Sequence, residues 1–247
     1  MPINISNCSF SYRRGLPVLQ QLSISFEPGA TVLLGPNGAG KSTLMGIAAT
    51  ALKPKTGEIG LGTVTAVGRS AVREYRRRVG WLPQQVRPVA GLRVREQVAY
   101  GGWLKGMSRG AAWDASAGAL AKVRMSQLAD RRSAELSGGQ LRRLGIAQAL
   151  VHDAEVVLLD EPTAGLDPSQ RSAFRKLLAE LQDAVSFIVS THQTEDLAAS
   201  YRSVVVLDQG RVRYQGSIGE FLGRVPAGVS EERRAEAAYS ELVVEEA

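Results

Sequence analysis

The chain has 247 residues, 44% of them apolar and 22% charged, which suits one globular core carrying an insertion and is too short for two full-sized domains. No uninterrupted apolar run exceeds four residues, against about twenty for a bilayer span; Met1-Pro2-Ile3-Asn4 opens no secretion signal and the lone Cys8 has no partner in the chain, so a reducing cytoplasm is the expected compartment. The net charge of +6 is uneven, because the tail from Glu231 to Ala247 holds six Glu against two Arg and leaves +10 on residues 1–230, a body able to attract phosphate ligands, anionic lipid or nucleic acid.

In chain order, Ile3 and Ile5, then Leu22, Ile24 and Phe26, alternate and predict strands that Pro28-Gly29 ends. Thr31-Val32-Leu33-Leu34 predicts a strand feeding a glycine-rich loop, and residues from Ser42 to about Leu52 suit a helix. Gly57, Gly60, Gly62 and Gly68 punctuate the next stretch. A helix is expected over the Arg-rich segment holding Arg69, Arg73, Arg76, Arg77 and Arg78, whose charge reads either as a solvated face or as a partner surface, with no nucleic-acid motif beside it. Val79-Gly80-Trp81-Leu82 is a further strand, stopped by Pro83.

From 91 to 135 the apolar residues Val94, Val98, Ala99, Ala112, Ala115, Ala119, Leu120 and Val123 recur at helical spacing, which predicts an inserted helical subdomain. Then come a helix opened by Ser137, a strand over Val156–Leu159, a helix after Asp167-Pro168 with Asp167 as N-cap, a strand over Ser186–Val189, a short helix and a strand over Val204–Leu207. Strand and helix alternating after a βα opening imply an α/β fold, with a mostly parallel sheet, helices on both faces and an antiparallel N-terminal part. The core is expected in 1–90 and 136–225. The tail over 231–247, rich in Ala and Glu, shows no clear core and reads as a loosely docked helix.

Gly35-Pro36-Asn37-Gly38-Ala39-Gly40-Lys41-Ser42, with Thr43 next, has the spacing of a loop that wraps a polyphosphate and hands it to a helix N-terminus. Glycines allow tight turns and bare N–H groups, the helix end adds partial positive charge, Lys41 neutralises phosphate oxygens and Ser42 offers a hydroxyl to Mg²⁺. Asp160-Glu161 ends an apolar strand, where open α/β sheets bind ligands. Alternation would let Asp160 address the metal while Glu161 faces a different space, beside an attacking water, as phosphate loss to water requires.

Leu136-Ser137-Gly138-Gly139-Gln140, shortly before that strand, completes a set that resembles the nucleotide-binding subunit of ABC transporters from Tyr12 to about Gly216. The resemblance implies a P-loop ATPase domain over 1–230 that binds ATP and Mg²⁺ and hydrolyses ATP. It implies a head-to-tail pair of subunits, identical or related, with each phosphate loop closed by the Ser137-Gly138-Gly139 segment of the other chain. It also implies that Tyr12 stacks on adenine, that Gln84 touches Mg²⁺ and senses an integral-membrane permease, that His192 is the switch histidine at the terminal phosphate, and that Asp167 lies in a loop coupling the two sites, a role compatible with capping.

Two flanking segments look more like exporter subunits than importers. These are Val94-Arg95-Glu96-Gln97-Val98 with Trp103-Leu104-Lys105-Gly106, and Glu161-Pro162-Thr163-Ala164-Gly165-Leu166-Asp167. The expectation is thus a cytoplasmic ATPase, peripheral on the inner face of the membrane. The alternative is a soluble ABC-type ATPase without a permease, in cofactor assembly, translation or nucleic-acid maintenance. Nucleic acid is the weaker partner, since the interval between Lys41 and Leu136 has no room for the long coiled coil of chromosome and repair relatives.

Overall fold

A computed structural model describes residues 1–13, 15–197, 201–225 and 229–243, without the side chains of residues 195, 196, 231 and 232. β1 (Ile3–Phe10) and β2 (Leu19–Phe26) pair antiparallel, and β3 (Ala30–Leu34) delivers the loop to α1 (Lys41–Ala48). β4 (Thr56–Leu61) and β5 (Val64–Thr65) complete a four-stranded sheet of order β2-β1-β4-β5. α2 (Gly68–Arg78) runs straight into β6 (Val79–Leu82), and α3 (Val94–Leu104) and α4 (Arg109–Lys122) follow. α5 (Gly138–Leu150) leads to β7 (Val156–Asp160), α6 (Pro168–Leu181) to β8 (Ser186–Thr191), and β9 (Ser203–Asp208), β10 (Arg211–Ser217), α7 (Ile218–Gly223) and α8 (Glu231–Ser240) close the described chain. The larger sheet has the order β10-β9-β3-β8-β7-β6 and is parallel except for β10 against β9.

The strand period of two divides the core. Val157, Leu159, Phe187 and Val189 pack with Val94, Val98, Leu144, Phe174 and Leu178 from α3, α5 and α6, and Val32, Leu34, Val204 and Val206 meet Phe221 of α7 and Ala238 of α8 on the same face. The alternate residues Leu33, Val156, Leu158, Ile188 and Val205 pack with Leu44 and Met45 of α1, Tyr75 of α2 and the inner face of the antiparallel sheet. Each such side chain contributes roughly 1.5–3 kcal/mol by leaving water. The second face is therefore covered by α1, α2 and the antiparallel sheet, so helices lie on both faces as the alternation pattern implied.

Several elements escape the sequence pattern, the two-residue β5 among them. β4 reads Thr-Gly-Glu-Ile-Gly-Leu and buries only Ile59 and Leu61, with its ladder to β1 supplying the order that hydrophobicity does not. β10 is an edge strand with exposed Arg211, and α7 is six residues long, short for a periodicity signal. α1 stops at Ala48, earlier than expected, where Thr50 takes φ 56° and turns the chain. Ser137 caps α5 through a capping box with Gln140, and Asp167 caps α6 with Pro168 in its first turn.

The tail departs from the loosely docked reading. Ala238 of α8 is fully buried beside Phe221, because a methyl side chain lets the helix approach the sheet side closely. Residues 244–247 of the expected acidic tail lie outside the described residues. Among the described residues no helix is long and apolar enough to cross a membrane.

Candidate active site

The glycine-rich loop is shaped by contact as much as by conformation. A Cβ on Gly35 would stand 2.2 Å from the Leu207 carbonyl oxygen of β9, so only glycine fits there, and Gly38 and Gly40 take φ 85° and 101°, a region costly to side-chain-bearing residues. α1 begins at once, presenting its unpaired N–H groups and positive dipole end to the cleft beside the loop.

That cleft, about 500 Å³, is lined by Tyr12, Pro36, Asn37, Gly38, Gly40, Lys41, Ser42, Thr43, Gln84, Glu161 and His192, together with Val18, which the sequence had not marked, and Ala164, marked only within a flanking segment. Gly35 and the buried Ala39 shape the loop from behind. Lys41 is buried, and its ammonium donates to the carbonyl oxygens of Gly35 (2.7 Å) and Pro36 (3.1 Å) while lying 3.6 Å from Glu161 Oε1. Burial holds its pKa below the usual lysine value, against the opposing pull of Glu161 and Asp160.

The two acids arrive by different routes. Asp160 is paired with Ser190 across β7 and β8 and points to the α1 face, where Ser42 Oγ donates to its Oδ1 at 3.1 Å. Glu161 takes φ 46°. After this left-handed turn Asp160 stays behind the lining of the cleft, bonded to Ser42, while the Glu161 carboxylate is part of that lining, so the two acids face different surroundings. Glu161 Oε2 lies 3.0 Å from His192 Nδ1 at the end of β8. A non-glycine residue held there stores about 1–3 kcal/mol of backbone strain, which is characteristic of working sites.

The remaining candidates fall into three places. Tyr12 is 65% exposed on the cleft wall, edge-on to Phe10, with its hydroxyl 3.1 Å from Thr43 Oγ1. Gln84 is exposed at the cleft rim, its carbonyl accepting from the Arg142 guanidinium, whose pKa burial lowers. Ser137, Gly139 and Gln140 line a different cleft with Arg143, Ser169 and Gln170, and Gly138 opens α5 beside them with free space above its Cα. Within one chain, then, the Ser137 segment does not join the phosphate-loop cleft. Asp167 accepts from Ser169 Oγ (2.7 Å) and the Gln170 N–H (2.9 Å), and these bonds, the serine's first, lower its pKa.

Ser42 Oγ, the Asp160 carboxylate and the Gln84 side-chain amide are oxygen donors around the loop, a set that fits a hard divalent cation sharing its shell with water and phosphate oxygens. The Arg-rich segment divides. Arg78 makes a two-pronged bond to Glu155 (2.5 and 3.0 Å) and Arg76 donates to Thr50 Oγ1 and O (both 2.7 Å), so both serve the fold, although Arg76 stays exposed like Arg69, Arg73 and Arg77.

The family model described as ABC transporter matches residues 19–164. The chain is 35% identical over 228 residues to the phosphonates import ATP-binding protein PhnC 1 of Rhodopseudomonas palustris, covering 87% of this chain and 81% of the relative. It is 38% identical over 218 residues to the cobalt import ATP-binding protein CbiO of Rhodobacter capsulatus, covering 87% and 78%. In three dimensions it is similar to CbiO1 of Clostridium perfringens, described as part of an ABC transporter complex, with a TM-score of 0.78, 29% identity and 90% of each chain covered.

Proposed function

This chain belongs to the ABC transporter family as an ATP-binding, ATP-hydrolysing subunit, and from that premise we propose that two copies, or this chain and a related one, close on ATP and magnesium to drive a separate membrane permease from its cytoplasmic side. The observation that carries the reading is the convergence of Lys41, Ser42, Glu161 and His192 in one cleft, with Asp160 bonded to Ser42 behind it, while Ser137 and Gly139 line another. A complete triphosphate site then requires the Ser137 segment of a second chain.

On this reading Lys41 leaves the loop carbonyls to neutralise phosphate oxygens, and the N–H groups opening α1 receive the same charge. Magnesium, held by Ser42, Asp160 and Gln84, supplies further charge neutralisation when bound. Glu161 accepts the proton of the attacking water, and His192 keeps that carboxylate oriented. Tyr12 covers the adenine, and the capped start of α5 in the partner copy offers Ser137 Oγ and glycine N–H groups from the opposite side. The cavity between β6, α3 and α5, with exposed Tyr100 and Leu104, is the surface we assign to the permease.

The flanking segments favoured export, but the relatives' names, phosphonates and cobalt import, favour uptake, and uptake is the direction we infer. The permease-free alternative drew on the basic body, and that support weakens where Arg78 is neutralised by Glu155. The deciding experiment is the mass of Glu161→Gln in solution. Dimers with ATP and magnesium and monomers with ADP are expected, and a monomer under both conditions overturns the sandwich. Direction is read by whether membranes carrying the purified complex accumulate or lose cargo when ATP is supplied on the side of this subunit.

A further inference from the structure

Ser190 of β8 has no place in the glycine-loop, Ser-Gly-Gly or Asp-Glu patterns, yet it touches both acids of the site. It is fully buried. Its Oγ donates to Asp160 Oδ1 at 2.6 Å, shorter than the 3.1 Å bond from Ser42 to the same oxygen. The same Oγ accepts the N–H of Glu161 at 3.0 Å, and the Ser190 carbonyl oxygen lies 3.2 Å from that nitrogen. The β7–β8 register, Asp160 opposite Ser190, places the hydroxyl there.

The direction of the proton follows from chemistry. A backbone N–H can only donate, so Ser190 Oγ accepts from Glu161 and its single hydrogen is left for Asp160. One hydroxyl thus fixes the oxygen of the acid assigned to magnesium and the backbone of the acid assigned to water, at the residue whose φ of 46° is strained. Ser42 is the hydroxyl assigned to the ion, which makes Ser190 the donor free to stay on Asp160.

We propose that Ser190 is a positioning residue that presets Asp160 for magnesium and holds the Glu161 turn. The inference rests on the reading of Asp160 and Ser42 as the magnesium side of the site. The test titrates magnesium, from an EDTA-treated start, into the full chain with a fluorescent ATP analogue and follows nucleotide binding. Ser190→Ala and the near-isosteric Ser190→Cys should bind nucleotide without magnesium as the wild type does, but need about tenfold more magnesium for half of the added affinity, since a bond to a charged acceptor is lost. Ser190→Thr, which keeps the hydroxyl, should restore the wild-type requirement. At saturating magnesium the Ala and Cys variants should lose kcat with little change in the KM for ATP. An unchanged magnesium requirement in the Ala and Cys variants overturns the proposal, and the Cys and Thr pair decides alone if Ser190→Ala does not fold. Asp160→Asn separates the two layers: if it keeps the wild-type magnesium dependence, the assignment of Asp160 fails, whereas failure of the Ser190 variants alone leaves that assignment standing.

Discussion

His192 Nδ1 lies 3.0 Å from Glu161 Oε2, and Lys41 approaches the other oxygen of the same carboxylate at 3.6 Å. The carboxylate is thus braced from both sides inside a cleft where it is nearly buried. Glu161→Gln keeps the shape and the bond to His192 but cannot take a proton. Turnover should fall by roughly two to four orders of magnitude with ATP affinity retained, the size of a lost general base. Phosphate release paired with equilibrium nucleotide binding checks it, and near-normal turnover would remove Glu161 from that role. His192→Ala should also depress kcat and spare binding, because it frees the carboxylate without touching the loop.

Tyr12 presents an exposed ring at the cleft wall, steadied edge-on by Phe10. If it stacks on adenine, Tyr12→Ala should weaken ATP binding by about five- to a hundredfold, in line with roughly 1–3 kcal/mol per stacked base. Tyr12→Phe, which gives up only the hydroxyl contact to Thr43, should bind nearly as the wild type does. Inorganic triphosphate separates stacking from phosphate binding: its affinity should be the same in all three proteins, and an equal loss for triphosphate and ATP in Tyr12→Ala would rule stacking out.

What the sequence displays and what it hides divide along local and non-local lines. The loop from Gly35 to Ser42 and the acids after Val156–Leu159 were legible because spacing along one segment fixes their chemistry, and the Ser137 and Asp167 caps were legible for the same reason. Ser190 was not, since its contact depends on the register between β7 and β8, which no window of either strand contains. The left-handed turn at Glu161 was hidden too, because alternation presumes extended backbone and φ is 46° there. The burial of Ala238 shows the same limit: an Ala-rich helix carries little hydrophobic contrast, and only the neighbouring Phe221 reveals which face docks.

His152, which the function does not use, carries a pH dependence. Burial first, and the nearby Lys105 charge second, push its pKa down to about 4 from 6.5. The unfolded chain therefore takes this proton before the folded one, so stability is full above pH 6.5 and falls as pH drops toward about 4, by up to about 3 kcal/mol at about 1.4 kcal/mol per unit. Lys105 donates to the Arg76 and Val79 carbonyls and is itself lowered to about 8, chiefly by burial, so its contribution runs at the other end, with stability rising between about pH 8 and 10.5. Urea midpoints at pH 5.0 to 7.5 should decline on the acid side for the wild type and more gently for His152→Leu. Parallel curves would show that His152 stays solvated.

Gly35 and Gly38 differ in why they are glycine, and alanine at each should report the difference. At Gly38 nothing lies within 4 Å of the added methyl, and the penalty is the left-handed φ of 85°, roughly 1–2 kcal/mol. At Gly35 the methyl meets the backbone carbonyl of Leu207 at 2.2 Å, with Ala39 Cβ at 3.2 Å. Neither neighbour is a flexible side-chain end, so the loop or β9 has to move, and overpacking of this kind costs about 1–3 kcal/mol or more. Because β3 and β9 are adjacent parallel strands, displacement of the loop from β9 also shifts the start of α1, where phosphate is to be received. Gly35→Ala should lower the thermal midpoint by several degrees and weaken ATP binding at least tenfold, whereas Gly38→Ala should lower the midpoint by only a few degrees and lose less affinity. A Gly35→Ala protein with wild-type midpoint and affinity would mean that the contact with Leu207 is loose in solution and that the loop is not seated by β9.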